Sequence, residues 1–105
     1  MGPMISNDAF ENAPPEEARR GVLLRGRVQG VGFRWWTREI AEELSLRGNV
    51  RNLPDGSVEI HIAGPIARVQ AFIERIRTGP RQARVVSVEE IPCREGLPQG
   101  FQIAL

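Results

Sequence analysis

Gly26-Arg27-Val28-Gln29-Gly30-Val31-Gly32-Phe33-Arg34 decides how the rest of this chain folds. An apolar run, Val22-Leu23-Leu24, leads into it, and an amphipathic pattern leaves it. A strand that breaks into closely spaced glycines and reopens as a helix exposes backbone N–H groups, because the first helical turn has no carbonyls to pair with them. The helix dipole adds roughly half a positive charge at that end. Arg34, just inside the helix start, adds a planar guanidinium that can grip two oxygens of a phosphate or carboxylate. The loop reads as an anion seat. It is not a Walker A loop, since no Gly-Lys-Ser/Thr follows, and it lacks the third glycine of a dinucleotide fingerprint.

Downstream, Phe33, Trp36, Ile40, Ala41 and Leu44 recur at spacings of three and four, which predicts an amphipathic helix over 33–45. Trp35 falls off that stripe and reads as a surface residue beside the loop. Upstream, Val22 to Val28 reads as a strand. Gly48 closes the turn after the helix, and Asn49 to Leu53 reads as a short strand. Pro54-Asp55-Gly56 is turn chemistry between two such runs, so a hairpin follows. Its second arm, Ser57 to Ala63, alternates with Val58, Ile60 and Ile62 on one face. His61 and Glu59 share the other face, where His61 reads as a solvent-side residue.

Gly64-Pro65 opens a second helix, with Pro65 as its first residue. Ile66, Val69, Phe72, Ile73 and Ile76 form its apolar stripe, and Gly79-Pro80 ends it. Arg84 to Glu89 is a fourth strand, Pro92 to Gly100 a looser segment, and Phe101 to Leu105 a short final or edge strand. The order β-α-β-β-α-β, with helices and strands each apolar on one side, predicts an α+β, ferredoxin-like sandwich. It has an antiparallel four- to five-stranded sheet and two helices on one face. That plan hosts many unrelated functions, so function has to come from the site.

The composition narrows the options. The 105 residues carry a formal net charge of +1, so no strong field advertises a polyanionic partner. All 14 basic residues are arginine. Cys93 is the only cysteine and His61 the only histidine, which excludes an internal disulfide and a thiolate zinc site; neither a metal nor another cofactor is expected. No apolar stretch approaches the roughly 18 residues of a membrane span, and the first 20 residues lack the apolar core of a secretory signal. A cytoplasmic protein without membrane contact is expected. Residues 1–20 show no sustained period and read as a disordered tail preceding one domain over 21–105. Met1-Gly2-Pro3-Met4-Ile5-Ser6 formally fits a myristoylation pattern, but Pro3 stiffens the segment an acyltransferase would thread.

Length arithmetic completes the site. A helix of about 13 residues travels on the order of 20 Å away from the loop, and a strand over 47–52 travels about the same distance back. Asn52 thus returns close to Arg34. Its amide offers one acceptor and two donors in a fixed plane, so it can hold a water beside an anion held by Arg34.

These two segments, Gly26 to Arg34 and Gly48-Asn49-Val50-Arg51-Asn52-Leu53-Pro54-Asp55-Gly56-Ser57-Val58-Glu59, closely resemble the signature segments of the acylphosphatases. Those are small ferredoxin-like enzymes that hydrolyse the carboxyl-phosphate bond. The likeness runs from about Gly21 to Leu105. It implies that Arg34 binds the phosphate, that Asn52 positions the attacking water, and that the backbone of Arg27, Val28, Gln29, Gly30, Val31, Gly32 and Phe33 forms the phosphate cradle. It implies an acyl phosphate as the small-molecule substrate, inorganic phosphate as product, and no metal; a monomer is expected. The chain departs from the family at Ser45, where a glycine is common, at Asn49, where an aromatic is common, and at Leu105, where a tyrosine is often found.

Two other readings stand beside this one. A non-catalytic, phosphate-binding domain of the same family occurs at the front of larger carbamoyl-transfer proteins; the chain's end one strand past the domain points instead to a free-standing enzyme. An RNA-binding module on the same fold needs outward aromatics on its strands. Here there is no tyrosine, and Phe33, Trp35 and Trp36 fall in or beside the first helix, so no nucleic acid is expected.

Overall fold

The structure, a computed structural model, describes residues 16–104. Its elements are β1 (Glu17–Arg27), α1 (Phe33–Glu43), β2 (Arg47–Asn52), β3 (Val58–Pro65), α2 (Ile66–Thr78), β4 (Arg84–Ile91) and β5 (Phe101–Ile103). They form one five-stranded sheet in the order β4-β1-β3-β2-β5. The first four strands pair antiparallel, as the ferredoxin-like plan requires. No described helix is long and apolar enough to cross a membrane.

The alternation read in β3 becomes the core. Val58, Ile60 and Ile62 are fully buried together with Val22, Leu24 and Val50 of the neighbouring strands. The helices close over this layer with Phe33, Ile40 and Ala41 from α1 and Val69, Phe72, Ile73 and Ile76 from α2. Each large aliphatic or aromatic side chain so buried contributes roughly 1.5–3 kcal/mol. Because α1 and the strand after it are both anchored by this layer, the loop before α1 and the end of β2 face each other at one end of the sheet.

Four features differ from the sequence reading. First, β1 begins at Glu17, so residues 17–20, expected in the tail, are strand. They pair with Ile62 to Pro65, and Glu17 is held by Arg47 in a two-pronged ion pair with a 3.0 Å arm. Only Ala18 of this stretch packs against the core, too little apolar signal to mark a strand. The expected tail over 1–15 and the Gly2 pattern lie outside the described residues.

Second, β5 runs parallel to β2, with Gly48 opposite Phe101 and Val50 opposite Ile103, so the full sheet is mixed. The segment 92–100 carries the chain from the β4 edge to the β2 edge, and that crossover sets the direction of the last strand. Leu105 lies outside the described residues.

Third, His61 is buried rather than solvent-side, at 3% exposure. The crossing segment covers it, and Arg94 N–H donates to His61 Nδ1 at 3.0 Å. On its other side His61 Nε2 lies 3.4 Å from Glu59 without hydrogen-bond geometry. Burial pushes the Glu59 carboxyl up, yet the hydrogen bond from Arg51 and the neighbouring His61 together hold it below the usual carboxylate range.

Fourth, α1 stops at Glu43 rather than 45, and α2 starts at Ile66, one residue after Pro65. The α1 terminus is a Schellman motif: Leu46 N–H donates to Ala41 O at 2.8 Å and Ser45 N–H to Glu42 O at 3.1 Å. Ser45 takes the left-handed conformation there, with φ 56°. This is a glycine position occupied by serine.

Candidate active site

The loop is built by two backbone devices. At Gly26 the β1–β4 register shifts in a bulge, and a Cβ there would meet Arg84 O at 2.1 Å, so the strand bends, one residue before its end, where only glycine fits. At Gly32 the chain enters α1 through a left-handed cap, φ 75° and ψ 18°. The first helical bond is Trp36 N–H to Gly32 O, 3.0 Å. None of the N–H groups from Gly30 to Trp35 donates to a backbone carbonyl among the described residues. They are the orphan donors of a helix start, clustered on one small loop.

All of these residues but Val31 line a cavity of about 150 Å³, whose wall is Val28, Gly30, Gly32, Phe33, Arg34, Trp35 and Asn52. Arg34 and Asn52 therefore share one cavity, as the helix-out, strand-back arithmetic requires. Half-buried Arg34 has no ion-pair partner among the described residues. Asn52 Oδ1 is buried with no hydrogen-bond partner among them. An orphaned buried acceptor costs on the order of 1–3 kcal/mol unless something satisfies it. A donor brought by a ligand or a water would do so.

Of the seven residues assigned to the cradle, Val28, Gly30, Gly32 and Phe33 line the cavity, and Arg27, Gln29 and Val31 do not. Arg27 is the last residue of β1 and pairs with Arg84. Val31 packs against the core. Gln29 has a role that its backbone assignment missed. Its side-chain Nε2 donates to Leu53 O and to Ser57 O, both at 2.8 Å, the two carbonyls that flank the β2–β3 turn. The loop is thereby tied to the residue that follows Asn52. The turn is stiffened from its other side by Asp55, whose carboxylate accepts from the Ser57 hydroxyl and backbone N–H. Those two hydrogen bonds, with Arg25 beside them, pull the Asp55 carboxyl down to about 2. Trp35, read as a surface residue, is 63% exposed and also stands in the cavity wall.

A larger cavity, about 540 Å³, lies between the helices and is lined by Trp36, Ala71, Glu74, Arg75, Thr78 and Gly79. Its arginine is engaged with Glu43 at 3.0 Å, and none of its side chains has a buried polar atom without a partner. Chemistry rather than size singles out the smaller one.

Residues 20–103 match the acylphosphatase family. An acylphosphatase of Rhizobium etli is 51% identical over 83 residues, which cover 78% of this chain and 88% of that protein. The crystal structure of acylphosphatase from Bacillus subtilis superposes with a TM-score of 0.74 at 36% identity, covering 86% of this chain and all of that one. Full-length HypF, in its phosphate- and nucleotide-bound form, matches 89% of this chain with 12% of its own length, at 28% identity and a TM-score of 0.72.

Proposed function

The chain belongs to the acylphosphatase family, and on that premise we propose that it hydrolyses acyl phosphates on a phosphate held by Arg34 and the loop amides, using a water held by Asn52. The observation that carries this reading is Asn52 Oδ1, buried without a hydrogen-bond partner among the described residues, in a residue that shares its cavity with Arg34. An acceptor so placed takes one proton of a water and leaves the oxygen lone pair free to be aimed.

The residues at hand suit the reaction. The guanidinium and the unpaired N–H groups of the loop spread the charge of the three phosphoryl oxygens and hold them in one orientation. The water oxygen forms a bond to phosphorus while the bond from phosphorus to the acyl oxygen breaks, in line with the attack. The leaving oxygen keeps the electron pair and departs as a carboxylate, a weak base that needs no protonation. Of the two water protons, one stays on the new phosphate hydroxyl and the other passes to a phosphoryl oxygen. Neither a general acid nor a metal is required by this balance. Orientation of this kind supplies up to roughly 7–11 kcal/mol of a barrier.

The test is hydrolysis of benzoyl phosphate by purified protein in the presence of a chelator, with p-nitrophenyl phosphate in parallel. The expected result is release of benzoate and phosphate from the first and none from the second, whose phenolate is a poorer leaving group. Lack of turnover, with inorganic phosphate still raising the melting temperature, would make this a domain that binds phosphate without cleaving it.

A further inference from the structure

We propose that a second cavity, beside β5, receives the acyl group of the substrate and selects flat aromatic or bulky apolar acyl groups over acetyl; this rests on the acyl phosphate reading above. The phosphate cavity measures about 150 Å³. Liquid water occupies about 30 Å³ per molecule, so that space suits a phosphoryl group with its water and little else. The acyl group has to lie outside it. Next to it is a cavity of about 510 Å³ lined by Trp35, Arg38, Phe101, Gln102 and Ile103. Trp35 lines both, and so forms the boundary between them.

The strand register brings the second cavity to the same end of the sheet. Because β5 runs parallel to β2, Ile103 sits opposite Val50, and Ala104 N–H donates to Val50 O at 2.8 Å. The β5 wall therefore ends two residues short of Asn52. Trp35 presents its indole here at 63% exposure. The Arg38 guanidinium lies over the ring, 5.5 Å from its centroid, and Arg38 is itself paired with Glu42 at 3.2 Å. An exposed aromatic plane with partly buried Ile103 and the edge of the core residue Phe101 beside it is a surface for stacking and apolar contact. The one charged residue of this wall is the cation Arg38.

The test compares kcat/KM for benzoyl phosphate with that for acetyl phosphate, as a ratio within each preparation of the wild type, Trp35→Ala and Trp35→Phe. Phosphate contacts, intrinsic reactivity and the folded fraction cancel when the ratio is compared between variants. Trp35→Ala is expected to lower the ratio by about tenfold, the scale of a small apolar group lost from a pocket, and Trp35→Phe to restore most of it. A ratio that stays within twofold in Trp35→Ala, with both substrates still hydrolysed, overturns the acyl pocket alone. Failure of the wild type to hydrolyse either substrate overturns the acyl phosphate reading, and this inference with it.

Discussion

Two strands of this sheet lead into helices, and the first of the two junctions holds the phosphate-sized cavity. At the second, β3 ends at Pro65 and α2 begins at Ile66, whose N–H donates to Glu16 O at 3.1 Å. At the first, residues 28–32 intervene, a left-handed glycine caps the helix, and the N–H groups around it are left without backbone acceptors among the described residues. Both helices have an arginine in the first turn, Arg34 in α1 and Arg68 in α2. Arg68 donates to Leu44 O at the far end of α1, at 3.4 Å, and so serves packing between the helices. Arg34 makes no comparable contact among the described residues. A helix dipole and a nearby cation are therefore common to both junctions. The inserted glycine loop, and a strand that returns Asn52 to it, belong to one.

The sharpest way to break this comparison is to remove each arginine. Arg34→Ala is expected to lower kcat/KM for benzoyl phosphate by about a thousandfold or more, on the scale of losing a preorganised charged donor, and to abolish stabilisation by phosphate. Arg68→Ala is expected to leave both within twofold. Comparable losses in the two variants would remove the distinction between the junctions.

Asn52→Ala is expected to cost on the order of a hundredfold in kcat, because the water loses its orientation while the phosphate contacts remain. Steady-state kinetics with benzoyl phosphate reads this directly.

Gln29→Ala tests whether the loop must be tied to the hairpin that follows Asn52. Losing both hydrogen bonds is expected to lower kcat by about tenfold with KM nearly unchanged, as befits a residue that acts through Asn52. Gln29→Glu presents a carboxylate to the Leu53 and Ser57 carbonyls and is expected to be at least as damaging.

The smallest effect concerns the far end of α1. Ser45→Gly relieves a left-handed serine in the Schellman motif and is expected to raise stability by about 0.5–1 kcal/mol without altering kcat. Urea unfolding followed by tryptophan fluorescence would measure it.

How much of this was legible beforehand depended on the range of the interactions. Arg34 and the glycines declare themselves through neighbours a few residues away. Asn52 could be placed because one helix and one strand have known rises per residue. The Gln29 side chain could not, since its acceptors lie 24 and 28 residues along the chain. His61 was misplaced for a related reason: the alternation of β3 is sound, but what covers its second face is the segment around Arg94, 33 residues later. Residues 17–20 were hidden because their ladder is satisfied by β3 and their side chains by charges rather than by apolar contacts. The direction of β5 followed from a crossover with no periodic signal of its own.

The division of labour within the first junction is the central claim, and calorimetric titration of inorganic phosphate into the wild type, Arg34→Ala and Asn52→Ala tests it most directly. The account predicts that Asn52→Ala binds phosphate within a few-fold of the wild type, while Arg34→Ala binds at least a hundredfold more weakly. Loss of phosphate affinity in Asn52→Ala as severe as that in Arg34→Ala would contradict it, and would make Asn52 part of the anion seat instead of the holder of the water.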